Sequence, residues 1–571
     1  MYEKPFIFKI NDNGTGPNLL LQVCLERGWQ EHTEENTPKD RWNIWWRTSG
    51  FSLSQYRTLR GWQFTNHVPR GSCICKKDNL SRYLKVMKNT YGNIYDFSPE
   101  AFILPLDYSK LVEHCSRIKL QTDSNNNLVW ICKPVGQSQG RGISLFRNVS
   151  ELTYDTNSVV QRYINNPLLI GGYKFDLRIY VCVPCFQPLT VYVYREGLAR
   201  FSTNKFSMKD ITNKYAHLTN CAINKQGPGY LEMKDKVGAG CKWTLRQLRH
   251  YLNQNGIDDW LVWQRIASLI VLTIASQIGG IPTSKNCFEF YGFDILLDQD
   301  LKPWLLEVNL SPALGTDCDI DPAVKKPMLH DLFDLLGLPV CNTGLCLFES
   351  ISRMPVGDET DDFSDDDFQP INSAKTAANV VAMACKWKNH LSTQNLRKGR
   401  FKTKPLRSKN NRITLSQEEK QIRRHHHVPI KNISSYTAYH KDNSRMKTKS
   451  DSDDSSCCQL DENQPGYKWG NGVDWRCSLK ESGDWVRVYP LLVKEHCGWR
   501  RHPNSVKEGR VKDHEVRLVV GNLSRLSKMV KEVFTANEGS PDEKKDSMLI
   551  GDYLAIDAVW HPAPGFHEEN S

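Results

Sequence analysis

The segment Lys302 to Pro312 (KPWLLEVNLSP) carries Glu307 and Asn309 two residues apart, with Trp304, Leu306 and Val308 expected to face the core. In a strand, that spacing puts both side-chain oxygens on one surface about 7 Å apart. Asp294, in FYGFDILLD, is a lone acid between Phe293 and Ile295 on an otherwise apolar run. Two acids and an amide on neighbouring strands offer only hard oxygen donors, which suits magnesium completed by water and phosphate oxygens. The same acids could instead pair with nearby lysines or arginines, and taken alone these residues leave both readings open.

Phosphate-binding elements bear on that choice. Lys133 ends an apolar stretch and precedes a loop with Gly136, Gly140, Arg141 and Gly142, which supplies backbone N–H groups, permissive φ angles and cations for a polyphosphate. GQSQGRG fits neither the Walker nor the dinucleotide-binding pattern, and no βαβ series surrounds it. Phe175 to Val183 alternates, so that Asp176, Arg178 and Tyr180 share the face opposite Phe175, Leu177, Ile179, Val181 and Val183.

Several elements must position these groups: strands at Val129 to Lys133, Phe175 to Val183, Leu189 to Arg195, Phe288 to Leu297 and Trp304 to Asn309, and a helix at Trp260 to Ile278. The pattern is α+β with much antiparallel sheet. The helix is interrupted by Gln264, Arg265, Ser268 and Gln277, which suits a buried core helix better than a membrane span. The 571 residues imply two or three domains, and the eighteen cysteines are scattered without zinc-site spacing, which fits a reduced compartment. MYEKPFIFKI lacks the features of a signal peptide. From Cys341 the composition changes: Asp358 to Asp367 is acidic, Lys386 to Lys449 is dense in Lys and Arg, and tryptophans follow from Gly466. A largely disordered basic tail with short docking elements is expected.

The succession WICKP with GRGI, QRYI, KFDLRIYV, EGLARFS, HLTN with AINK, GCKW, FEFYGFDIL and KPWLLEVNLSP resembles the tubulin-tyrosine-ligase-like family, in its polyglutamylase branch. The resemblance spans about Pro5 to Val340 and includes GWQFTNHVPR and KKDNL. It implies an ATP-grasp fold with an N-terminal subdomain (1–85), a central subdomain (86–160) and a C-terminal subdomain (161–340), followed by the tail (341–571). It further implies that Lys133, Gly140, Arg141 and Gly142 hold phosphates and that Gln161, Arg162, Tyr163 and Ile164 form the adenine-side strand. Lys174, Phe175, Asp176, Thr219 and Asn220 would complete the nucleotide pocket, and Arg178 would reach the transferred phosphoryl. Asp294, Glu307 and Asn309 become the magnesium ligands, while Arg200, Lys242 and Lys325 become cations for the carboxylates of free glutamate.

The activity so implied is ATP- and magnesium-dependent ligation of glutamate to glutamate side chains of tubulin tails through an acylphosphate, by a monomer in the cytoplasm on the cytoskeleton, with cilium or basal body as further sites. A glycine ligase, or a catalytically weak microtubule-binding protein, are the alternatives. Cys221 after HLTN and Cys241 in GCKW depart from the family spelling near the expected amino-acid pocket. His217 is expected to pack or hydrogen-bond more than to move protons. The net charge of +11 fits an acidic partner such as tubulin tails. The basic segment has few aromatics, which disfavours nucleic acid, and neither nucleic acid nor membrane is expected as a partner.

Overall fold

The computed structural model describes residues 5–14, 16–33, 37–121, 128–154, 157–230, 241–257, 259–339, 468–475, 483–490 and 508–536. The acidic and basic runs between 358 and 449 lie outside the described residues. The architecture is α+β, as expected, built on three sheets.

The first sheet is parallel, with β1 (Ile7–Ile10), β2 (Gln30–Glu31), β3 (Ile44–Trp46) and β4 (Phe64–Thr65) in the order β2-β1-β3-β4. The second is antiparallel, with β5 (Ala101–Leu104), β6 (Trp130–Pro134), β7 (Ser144–Phe146) and β8 (Ser158–Arg162) in the order β5-β8-β6-β7. The third is the largest. It contains β9 (Leu169–Ile170), β10 (Tyr173–Phe186), β11 (Leu189–Lys205), β12 (Lys242–Thr244), β13 (Glu289–Leu297), β14 (Pro303–Asn309) and β15 (Trp485–Tyr489). The order β12-β11-β10-β13-β14 forms its spine, with β9 on β10 and β15 on β11.

The alternation of β10 divides two cores. Phe175, Leu177, Ile179, Val181 and Val183 pack with the helices Leu245–Gln254 and Trp260–Ala275 on one face. The other face changes character along the strand: Tyr180 and Cys182 are covered by the first sheet and the Ile320–Leu335 helix, whereas Asp176 lines a cleft beside the second sheet. The apolar segment Trp260–Gly280 has the length and composition to cross a membrane, but 72% of its span is buried inside this fold.

Glu289 ties the first sheet to the third. Its fully buried carboxylate accepts from His67 Nδ1 at 3.0 Å and from the Val68 N–H at 2.9 Å. A side chain at Gly71 would collide with that carboxylate, which explains the glycine in HVPRG.

Several expectations need correction. The limit at 85/86 falls inside the Lys77–Tyr91 helix and that at 160/161 inside β8; a helix and a sheet cannot be divided there without breaking their hydrogen bonds. The strand expected at Leu189 to Arg195 continues to Lys205, because EGLARFS stays paired with β10. On β14 the core-facing residues are Leu305 and Val308. A register shift opposite Asp294 and Ile295 turns Leu306 into the cleft beside Glu307, as a bulge re-aims side chains.

In the tail, docking of the tryptophan-bearing stretch agrees with expectation, whereas the helix Glu508–Ala536 was not foreseen. Trp469, Trp475 and Trp485 are buried against Phe64, Tyr192, Tyr194 and Phe290. β15 pairs with Val191 to Tyr194 of β11, next to the part of that strand covered by β12. The helix Glu508–Ala536 contributes Val519, Val520, Leu523 and Leu526 to the main core. An open edge and an apolar face on the third sheet are thus covered by residues distant in sequence.

Candidate functional site

Two charged rows cross the third sheet on its cleft face. In the first, Arg178 on β10 stands opposite Asp294 on β13, which stands opposite Glu307 on β14. In the second, Asp176 on β10 stands opposite Arg200 on β11, which stands opposite Lys242 on β12. Each row arises because side chains at i and i+2 of a strand share a face and antiparallel registry aligns them with neighbouring strands.

The rows are joined by short ion pairs. Asp294 accepts from Arg178 Nε at 2.6 Å and Nη2 at 3.2 Å, and from Arg200 Nη2 at 2.8 Å. Arg200 also donates to both Asp176 oxygens, at 2.8 and 2.6 Å. Burial resists ionisation of Asp294, but the two guanidinium groups outweigh it and hold the carboxyl well below the usual range. Glu307 moves the other way: burial first, then the Asp294 charge, raise its pKa. Two facing carboxylates with opposed shifts form an acidic pair that attracts a cation.

Above the rows lies a cleft of about 830 Å³, including space open to solvent. Its walls contain Lys133, Gly140, Arg141, Gln161, Arg162, Tyr163, Ile164, Lys174, Asp176, Thr219, Asn220, Asp294 and Glu307, and thus most of the expected nucleotide and metal residues. Lys133 donates to Gln161 Oε1 at 2.8 Å, and Lys174 to the Tyr163 hydroxyl at 2.8 Å and the His217 carbonyl at 2.9 Å. Burial pushes Lys133 down to about 8 and Lys174 to about 7, against the opposing pull of Glu307 and Asp176 respectively. Gly140 has φ +78°, and a Cβ there would lie 2.8 Å from Asn220 Oδ1, so the loop closes on the HLTN segment only with glycine at this position.

Some expected residues lie elsewhere. Phe175 points into the core. Gly142, Arg178 and Asn309 do not line the cleft, although Arg178 reaches it through Asp294. Asn309 donates to the Gly292 carbonyl at 3.3 Å. Lys242 and Lys325 are buried away from the cleft and both bind Asp321, at 2.8 and 2.9 Å. His217 contacts the Tyr163 hydroxyl through Nδ1 at 2.9 Å and the Asp210 carbonyl through Nε2 at 2.8 Å. Both ring nitrogens are occupied, consistent with the packing role expected for it.

Sequence reasoning assigned no role in the site to Lys77, Leu296 and Asp321, and placed Leu306 in the core. Lys77 lines the cleft, donates to the Gln137 carbonyl at 2.8 Å and lies 3.9 Å from Glu307. KKDNL was its only signal, and a role required knowing that this helix start faces β14.

The donor set can be tested against magnesium. Asp294 and Glu307 are adjacent across two strands, and no cluster of three or more His, Cys, Asp or Glu arranged for a metal occurs among the described residues. Two carboxylates beside a cation-lined cleft fit a magnesium ion that takes its remaining oxygens from phosphate and water.

The site thus joins a cation-lined cleft to paired acids on an antiparallel sheet. The chain belongs to the tubulin-tyrosine ligase family, whose sequence profile matches residues 54–343. It is similar to the probable tubulin polyglutamylase TTLL2 of Homo sapiens, with 45% identity over 336 residues, covering 59% of this chain and 56% of the relative. The Mus musculus protein of the same name is 44% identical over 336 residues, covering 59% and 62% respectively. Tubulin polyglutamylase TTLL5 of Homo sapiens is 37% identical over 340 residues, covering 57% of this chain and 26% of the relative. The chain therefore spans less than two thirds of the length of these curated relatives.

Proposed function

We propose that this protein is an ATP- and magnesium-dependent ligase of the ATP-grasp type that joins free glutamate to glutamate side chains of tubulin tails. The observation that carries the reading is the row Arg178, Asp294 and Glu307 beneath a cleft walled by Lys133 and Lys174. In support, relatives carry the names tubulin polyglutamylase and, for TTLL4 of Mus musculus, tubulin monoglutamylase.

The residues divide the work. Lys133, Lys174, Arg141 and the Gly140 loop bind the polyphosphate, while Gln161 to Ile164 supply the base side of the cleft. Asp294 and Glu307, with Asn309 beside them on β14, would hold magnesium, which would screen phosphate charge. The acceptor carboxylate takes the γ-phosphoryl group of ATP and ADP departs. The amine of free glutamate then attacks the acylphosphate, phosphate leaves, and the amine proton passes to solvent. Arg178, held to Asp294 by two hydrogen bonds, would meet the charge developing on the transferring phosphoryl, and preorganised cations stabilise such charge without reorganising. Arg200, Lys242 and Lys325 meet the carboxylates of the incoming glutamate. The protein acts as a monomer on the cytoskeleton, in cytoplasm or cilium.

The test incubates the full chain with ATP, magnesium, labelled glutamate and microtubules, beside Glu307→Gln. Mass spectrometry should find glutamate added to tubulin by the wild type, with incorporation reduced at least about 100-fold in the variant while nucleotide binding persists. Glycine incorporation in place of glutamate, or none despite nucleotide binding, would overturn the reading.

A further inference from the structure

Asp321 opens the Ile320–Leu335 helix and is fully buried. Its Oδ1 accepts from Lys242 Nζ at 3.0 Å and from Lys325 Nζ at 2.9 Å. Its Oδ2 accepts from Lys242 Nζ at 2.8 Å and from the backbone N–H groups of Asp317 and Cys318 at 2.9 and 3.2 Å. The Cys318 thiol is 3.5 Å from the same oxygen. Lys325 also donates to the Gly315 carbonyl at 2.7 Å.

Two buried ammonium groups side by side repel each other, and burial favours deprotonating one of them. A single carboxylate that accepts from both, and is itself held by two backbone N–H groups just ahead of the helix, removes that conflict. With Asp317 3.9 Å from Lys242 and paired to Lys225 at 2.6 Å, the network of three lysines and two carboxylates keeps one net positive charge. Lys242 faces Arg200 across β11 and β12, and Arg200 is bound to Asp176 on the cleft wall. The cluster therefore lies two strands along the sheet from Asp176, with β11 between.

Resting on the ligase reading above, we propose that Asp321 is a positioning residue for the free amino acid: it fixes Lys242 and Lys325 and leaves the pair the single positive charge that one substrate carboxylate neutralises. Asp321 need not touch the substrate. Its effect is confined to how the two lysines are aimed and charged.

The test compares wild type, Asp321→Asn and Asp321→Glu, all as the full chain, for KM of glutamate, KM of ATP, kcat and thermal midpoint. Asp321→Glu keeps the charge but moves the carboxylate by one methylene, and it is included because Asp321→Asn leaves two lysines uncompensated. In whichever variant folds, KM for glutamate should rise about tenfold or more, with KM for ATP and kcat at saturating glutamate changed by less than about threefold. A wild-type glutamate KM in a folded variant, or equal losses in both KM values and kcat, would overturn the positioning role. Failure of both variants to fold would assign Asp321 to stability instead. Absence of glutamate incorporation by the wild type would overturn the ligase reading itself, and this inference with it.

Discussion

Arg178 and Asp294 face each other across β10 and β13 and are joined by two hydrogen bonds, at 2.6 and 3.2 Å, that fix the guanidinium over the acidic pair. Replacing Arg178 with Met would keep the packing of the stem but remove the fork. Asp294 would keep Arg200 as a partner, so the fold should survive. Transfer of the phosphoryl should suffer: a loss of kcat of about 100-fold or more is expected, with nucleotide affinity changed far less. Single-turnover kinetics beside nucleotide titration checks this.

Lys174 and Lys133 link nucleotide binding to protons. Burial lowers them from 10.5 to about 7 and about 8, whereas a bound polyphosphate would raise both again. Binding at pH 8 should therefore take up protons, and affinity should weaken as pH rises from 7 to 9. Calorimetry in buffers of different ionisation enthalpy measures the uptake. For folding the sign is opposite: between pH 7 and 10.5 the unfolded chain binds more protons at Lys174, so this residue makes stability rise with pH across that window.

Trp485 fixes the returning tail. It is fully buried, packs in a tilted arrangement on Tyr194 with ring centroids 5.1 Å apart and donates to the Met328 carbonyl at 3.3 Å. Trp485→Ala should cost about 3–5 kcal/mol, read as a lowered denaturation midpoint. A chain ending at 340 should be poorly soluble, since it exposes the Val191 to Tyr194 edge of β11 and the apolar face beneath the last helix. Full solubility and an unchanged midpoint in that truncation would contradict the docking.

Glu515 gives the last helix a pH dependence. Its carboxylate accepts from the Leu189 N–H at 3.0 Å, and burial raises its pKa from 4.5 to about 7. A raised carboxyl contributes fully below pH 4.5, and that contribution is lost as pH climbs through 7. Glu515→Gln keeps an acceptor for Leu189 without the charge. It should leave stability at pH 5 nearly unchanged and raise it at pH 8 by about 2 kcal/mol, measured by denaturation at both pH values.

The pattern of β10 and the lone acid of β13 were legible because a polar residue on an apolar strand face needs a local reason, and alternation states which face it occupies. Asp294 and Glu307 could be paired from sequence for that reason, and the glycine loop could be joined to Lys133. The turning of Leu306 into the cleft depends on one shifted register between β13 and β14, which periodicity alone does not reveal.

Long-range partners were beyond such reading. Lys77 meets Glu307, Arg200 bridges Asp176 and Asp294, and Asp321 holds Lys242, each across gaps of dozens to hundreds of residues. The return of β15 to β11 was equally hidden, because an open strand edge exists only once the sheet has formed. The sequence by itself determined which residues are charged and which strand faces they share, since side-chain chemistry and backbone period are local. Only the tertiary structure decided which charges meet, because pairing across strands depends on registry and on the burial that makes each unpaired charge costly.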